Sequence, residues 1–275
     1  MAESYPALEI AFGVPDDPYL IDRLYARLDD FEPVAIHEDD LNAEWRVFFR
    51  SAAARDAALA ALRGEHGLAA HAIEVADEDW ARRSQENLRA IEAAGLIIAP
   101  PWDVPKGSTP VIIIEPSTGF GTGHHATTRL CLQMMRRLEL RGARVLDVGT
   151  GSGVLALAAW KLGAGDAVAV DNDPDALENA RANIDRNGAG PSIDIIQDDL
   201  GSLRVQRADV VLANLTGAVL VRYAAELAGL AVDGGYLIVS GFAPPDAPVV
   251  RAAFKSLSVI AEESEGDWAA LTLRR

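Results

Sequence analysis

The sequence predicts an α/β protein, a doubly wound and mostly parallel sheet with an antiparallel edge hairpin, preceded by a small ferredoxin-like α+β domain. Three observations predict it. From Arg144 onward, short apolar runs alternate with segments of helical period. The last two apolar runs, Ser258 to Glu262 and Trp268 to Leu273, have no helix between them and so imply an antiparallel hairpin at one sheet edge. The opening roughly 75 residues follow the order βαββαβ.

The elements follow in order. Leu8 to Val14 reads as a strand, Asp17 to Leu28 as an amphipathic helix and Pro33 to His37 as a second strand. Trp45 to Arg50 is a strand, Ala52 to Arg63 an Ala-rich helix and Ala70 to Val75 a strand, which closes a ferredoxin-like domain over residues 1–76. Residues 77–94 are charged and helix-prone behind a capping Asp77, and predict a helical linker. Residues 95–275 form the second domain. Leu96 to Ala99 is a short strand stopped by Pro100-Pro101, and Val111 to Ile114 is another apolar run. A helix runs to Met135, with Thr127 and Thr128 as candidate N-caps. Then come strand Arg144–Val148, helix Val154–Leu162, strand Ala167–Val170, helix Pro174–Asn187 and strands Ser192–Ile196 and Ala208–Ala213. Helix Val219–Leu230, strand Gly235–Ser240 and helix Ala247–Leu257 precede the closing hairpin.

Composition bounds the function. With 49% hydrophobic and 24% charged residues, the 275-residue chain can bury a sizeable core and is not disordered. It has no apolar run long enough to span a membrane and no basic-then-apolar start, so a cytoplasmic protein is expected. The single cysteine, Cys131, excludes an internal disulfide and reads as a buried small hydrophobe. A net charge of −16 disfavours phosphate-rich partners, so no direct nucleic-acid binding is expected; a basic partner would be attracted, although acidity also serves solubility.

The chemistry starts at Asp147-Val148-Gly149-Thr150-Gly151-Ser152-Gly153, between a strand and a helix. Alternate glycines permit a tight turn and close ligand approach to the backbone at Gly149 and Gly151, beside a helix N-terminus. The spacing G-x-G-x-G lacks the third glycine of the dinucleotide pattern, which counts against a nicotinamide oxidoreductase. Asp171 ends the next strand, about twenty residues further on, where a carboxylate can accept both hydroxyls of a ribose. Asp173 is better placed to cap the following helix. Loop and acid together define an adenosine site, with Asp198, after the third strand, able to face an adenine edge or to serve as a solvated turn residue.

With Asp147 to Gly153, Asp171 and the closing hairpin in place, the C-terminal part resembles the class I S-adenosylmethionine methyltransferases. Phe120-Gly121-Thr122-Gly123-His124-His125-Ala126-Thr127-Thr128, followed by Leu130-Cys131-Leu132, is similar to the signature of the PrmA family, which methylates large-subunit ribosomal protein eleven. Ala213-Asn214-Leu215 matches that family's fourth-strand motif, Asp79-Trp80-Ala81-Arg82 with Pro100-Pro101-Trp102 resembles its linker region, and the βαββαβ start is similar to its substrate-recognising domain.

The resemblance implies a seven-stranded sheet, S-adenosylmethionine as cofactor, and cofactor contacts at Thr128, Gly149, Asp171 and Asn214. It implies transfer of methyl to lysine or N-terminal amines of a basic ribosomal protein, the alternative being another protein or a small-molecule amine. Asn214 is the candidate catalytic residue, since its carboxamide oxygen can accept from an amine and point the lone pair. His125 is a candidate for orienting the methionyl carboxylate or the loop itself, and Phe120 for covering the site from a glycine-rich lid. Adjacent histidines point in different directions, and no metal is expected at His124 and His125.

Overall fold

A computed structural model describes residues 4–12, 20–29, 31, 33–39, 44–63, 65, 67–76, 88–116 and 123–275. The chain divides into two compact units, Met1–Leu88 and Arg89–Arg275.

The first unit contains β1 (Ser4–Phe12), α1 (Leu20–Asp29), β2 (Ala35–Asp39), β3 (Glu44–Phe48), α2 (Ala52–Ala61) and β4 (Leu68–Ala76). Its antiparallel sheet has the order β2-β3-β1-β4, the ferredoxin-like arrangement. Alternation places Leu8 and Ile10 of β1 with Trp45 and Val47 of β3, and Leu24 and Leu28 of α1 and Ala58 of α2 complete that core. Ser51 caps α2 by accepting from the Ala54 N–H at 3.2 Å.

The second unit opens differently from expectation. Ile91–Ala93 is strand β5, not the end of a linker helix, and pairs antiparallel with β6 (Leu96–Ala99). The two-residue turn between them explains why: Ala94 and Gly95 both have positive φ (55° and 76°), the geometry of a tight hairpin. The rest of the expected linker, residues 77–87, lies outside the described residues. β7 (Val111–Ile113) adds in parallel to β6, making a three-stranded sheet. Its Leu96, Ile98 and Ile112 join the core beneath α3 (Ala126–Met135).

The main sheet has the order β10-β9-β8-β11-β12-β14-β13. Here β8 is Arg144–Val148, β9 Asp166–Asp171, β10 Ile193–Gln197, β11 Ala208–Asn214, β12 Ala231–Phe242, β13 Ser258–Glu265 and β14 Trp268–Arg274. The strands from β10 to β12 are parallel, while β14 runs antiparallel between β12 and the edge strand β13. The doubly wound sheet with its hairpin edge is therefore the fold expected from the sequence.

Successive strand residues feed opposite layers. Val145 of β8 packs with α3, α4 (Val154–Lys161) and α5 (Pro174–Arg186), whereas Leu146 and Val148 pack with α6 (Gly217–Arg222), α7 (Ala224–Leu230) and α8 (Ala247–Ala253). Every residue of α4 from Val154 to Ala159 is buried, so a helix that is apolar all round sits where both sides are covered. The expected single helix Val219–Leu230 is two, broken at Tyr223 (φ −109°, ψ 22°), whose ring lies on the Gly201 turn. Helical period reports which residues are apolar, not that a neighbouring turn holds one ring out of line.

Candidate active site

The site forms where the winding reverses. The chain leaves β8 toward β9 and β10, and leaves β11 toward β12 on the other side, so the loops after β8 and β11 diverge at a switch point, the usual ligand crevice of an open α/β sheet. Val148 is in register with both Val170 and Ala213. The next residue on each strand is Gly149, Asp171 and Asn214, and the sheet thus brings these three to one level.

The glycine loop needs its glycines: Gly149, Gly151 and Gly153 have φ of 71°, 54° and 82°. Asp171 receives the Gly151 N–H on Oδ2 at 2.9 Å and the Asp173 N–H on Oδ1 at 3.1 Å, and each oxygen keeps a further lone pair. The Asp198 N–H donates to the Asp171 carbonyl at 3.1 Å, which places Asp198 beside it. Asp198 Oδ1 is taken by the Asp199 N–H and the Ser202 hydroxyl, both at 2.8 Å, so that oxygen organises its own turn. Asp173 is the N-cap of α5, as expected.

Asn214 is the last residue of β11 and is half-buried. Among the described residues none bonds its carboxamide. Its neighbour Leu215 locks the two loops together. The Leu215 N–H donates to the Ser240 carbonyl at 2.9 Å, and its side chain lies so close to Gly149 that a Cβ there would sit 2.4 Å from Cδ2.

Beneath the loop, Asp147 is buried and accepts on Oδ2 from the Thr150 hydroxyl (2.6 Å) and the Ala156 N–H (3.1 Å), while Oδ1 has no partner among the described residues. Burial pushes its carboxyl up to about 6, against the lowering effect of those two bonds. Thr128 is buried too, and its hydroxyl is the other buried polar atom that lacks a partner among the described residues.

Thr127 and Thr128 are not caps. They lie inside the first turn of α3 with their side chains buried, and His125 is the N-cap, its Nδ1 3.4 Å from the Thr127 N–H and 2.8 Å from the Thr127 hydroxyl. Burial, and then the charge of Arg129, lower the His125 pKa and favour the neutral ring that an acceptor needs. Trp268 packs edge-on against that ring at 4.7 Å. Phe120 lies outside the described residues.

Sequence reasoning missed Asn183 of α5 and Asn187, which caps that helix at its C-terminus. The Asn183 Nδ2 donates to the Ser152 carbonyl at 3.0 Å, its Oδ1 accepts the Glu115 N–H at 2.9 Å, and Asn187 bonds both the N–H and the C=O of Ile113. The available signal was two asparagines four apart, poor helix formers on one face of a helix with apolar neighbours.

Known proteins resemble the chain as follows. Residues 26–275 match the family described as "Ribosomal protein L11 methyltransferase (PrmA)". The chain is 38% identical over 253 residues to the ribosomal protein L11 methyltransferase of Azotobacter vinelandii, covering 86% of this chain and 85% of that one. The corresponding protein of Pelotomaculum thermopropionicum is 40% identical over 205 residues, 73% of this chain and 67% of that one. A crystal structure of a ribosomal protein L11 methylase from Lactobacillus delbrueckii subsp. bulgaricus is similar with a TM-score of 0.64 and 27% identity, over 68% of this chain and 99% of that one.

Proposed function

Because the chain belongs to the ribosomal protein L11 methyltransferase (PrmA) family, we propose that it transfers methyl from S-adenosylmethionine to lysine or N-terminal amines of a basic large-subunit ribosomal protein, the one named in its relatives. The observation that carries this reading is the common level of Gly149, Asp171 and Asn214 at the sheet's switch point.

The residues present fit the cofactor. Asp171 has lone pairs for ribose hydroxyls beside the glycine loop, whose Gly151 N–H it holds. Among the described residues the buried Thr128 hydroxyl has no partner, as expected of a group that serves a ligand. Gly149, Gly151, Asp171, Asp198 and Thr128 would hold it, with the neutral His125 fixing the helix end near Thr128. The cofactor supplies an electrophilic methyl group on a sulfonium. What the chain must supply is alignment: the reacting nitrogen has to be held in line and kept from water. Asn214 can accept a hydrogen bond from a neutral amine through its carboxamide oxygen, which aims the lone pair without a strong base. A lysine amine has a reference pKa of about 10.4, so the neutral form must be selected or favoured by desolvation.

The first unit serves in this reading as the substrate-recognition domain over residues 1–76, and the methyltransferase domain is the second unit, Arg89–Arg275, with β5 as its first strand. All described candidate site residues and both cores of the main sheet belong to the second unit. The net charge of −16 suits a lysine-rich substrate. Among the described residues no helix is long and apolar enough to cross a membrane, and we place the reaction in the cytoplasm.

The test is transfer of labelled methyl to purified ribosomal proteins by the wild-type chain, by Asn214→Ala and by a chain lacking residues 1–76. Label on one large-subunit protein, lost in both variants while the truncated chain still binds cofactor, is the expected result. Tight cofactor binding without labelling of any ribosomal protein would redirect the search to another protein or a small amine. The rate is expected to fall below neutral pH; a flat profile into the acid range would sink the neutral-amine mechanism.

A further inference from the structure

We infer that Asn183 is a positioning residue for the cofactor: its carboxamide sets the glycine loop, and its loss weakens cofactor binding while the fold persists. This rests on the cofactor reading above.

Asn183 is completely buried on a helix whose other buried residues are Leu177, Ala180 and Ile184. A carboxamide there costs stability unless its hydrogen-bonding capacity is used. It is used in full. The two Nδ2 hydrogens go to the Ser152 carbonyl (3.0 Å) and the Asn179 Oδ1 (3.3 Å), and Oδ1 accepts from the Glu115 N–H (2.9 Å) and an Arg186 guanidinium nitrogen (3.1 Å).

The bond to Ser152 is the informative one. In a longer helix the Ala156 N–H would donate to the Ser152 carbonyl; here that N–H donates to Asp147 at 3.1 Å, and the Asn183 Nδ2 donates to the Ser152 carbonyl in its place. The peptide between Ser152 and Gly153 is thus oriented by α5. The Gly153 N–H in turn donates to the Thr150 carbonyl at 2.9 Å, and the neighbouring Gly151 N–H to Asp171. Asn183 and Asp171 therefore grip the loop from two sides. α5 also packs against the loop at Ala180, where a Cβ added to Gly153 would stand in van der Waals contact, 3.5 Å from the alanine Cβ.

Asn187, one turn on, supplies the control. Its Oδ1 accepts the Ile113 N–H (2.9 Å), and its Nδ2 donates to the Ile113 carbonyl (2.7 Å) and to the main-chain carbonyl of Asn183 (2.8 Å), so it pins β7 to α5 without bonding the loop or the Asn183 carboxamide. Asn183→Asp keeps the acceptor for Glu115 and Arg186 but offers the Ser152 carbonyl an oxygen in place of a donor. Asn187→Ala removes a comparable structural tie.

The experiment is calorimetric titration of the full-length chain with S-adenosylhomocysteine, with the melting temperature of each variant measured alongside. The Kd is expected to rise about tenfold in Asn183→Asp and to stay within about twofold of wild type in Asn187→Ala. A Kd within twofold of wild type for Asn183→Asp, or an equal loss in Asn187→Ala, would overturn the inference. If Asn183→Asp does not fold, Asn183→Ala, which removes all four side-chain bonds without adding charge, takes its place under the same criteria. Failure of the wild-type chain to bind would overturn the cofactor reading, and this inference with it; tight wild-type binding unaffected at Asn183 would overturn the inference alone.

Discussion

Gly149, Leu215 and Gly241 pack so closely that side chains at the two glycine positions would collide with the leucine. A Cβ at Gly149 would meet the end of the Leu215 side chain at 2.4 Å, whereas one at Gly241, where φ is 103°, would meet the Leu215 carbonyl oxygen at 2.2 Å. A leucine methyl can turn away; a strand-end carbonyl cannot. Gly241→Ala is therefore expected to cost about 3 kcal/mol in urea denaturation against about 1 for Gly149→Ala. Equal costs would mean that the backbone yields as readily as the side chain. Asp147 sets a second expectation. Its carboxyl, raised from 3.8 to about 6, binds its proton more tightly in the folded than in the unfolded chain, so its ionisation removes stability as pH rises through that window. The stability of the wild type relative to Asp147→Asn is expected to fall between about pH 4 and 6 and to level off above; a constant difference would show that the carboxyl titrates normally. The Asp in the motif is plain in the sequence, but its burial under the loop is not, because burial is set by α3 and α4 closing over β8.

At the scale of elements, the N-terminus of α3 is held by the closing hairpin. Arg129 donates to the Glu265 carboxylate at 2.7 Å and to the His124 carbonyl, and Trp268 rests against the capping His125. Because Arg129 and Glu265 are each about a third exposed, with side-chain accessibilities of 29% and 35%, solvent screens the pair. A double-mutant cycle with Arg129→Ala and Glu265→Gln is expected to give a coupling of about 1 kcal/mol that shrinks with added salt. Strict additivity would show that the pair only marks the contact. The sequence located this helix and the hairpin separately and gave no sign that one clamps the other, since they are more than a hundred residues apart along the chain. The capping error has the same origin. Threonines are favourable caps by type, yet the inward face at Thr127 and Thr128 was wanted for burial, and the histidine before them took the cap. The 77–94 linker misjudged Ile91–Ala93 because charge and helix propensity do not register a neighbouring strand that offers pairing.

At the scale of the whole molecule, the net charge of −16 predicts that encounter with the basic substrate proposed above is steered by charge. Added salt is expected to lower methylation at subsaturating substrate through KM while leaving the rate at saturation unchanged; a salt-independent KM would mean that the acidity serves solubility alone. The sequence by itself determined the fold class, the order along the chain of the strands in the main sheet and the glycine loop, and it put Asp171 and Asn214 at strand ends as candidates, because these follow from short-range periodicity and from backbone conformations only glycine tolerates. The tertiary structure decided that Gly149, Asp171 and Asn214 share one level. It also decided that Leu215 bridges their loops, that Asn183 donates to the Ser152 carbonyl, and that Thr128 and Asp147 each bury an oxygen with no partner among the described residues. Each of these depends on strand register and on layers packed across the sheet, which join residues far apart in the chain and leave no local periodicity for the sequence to carry.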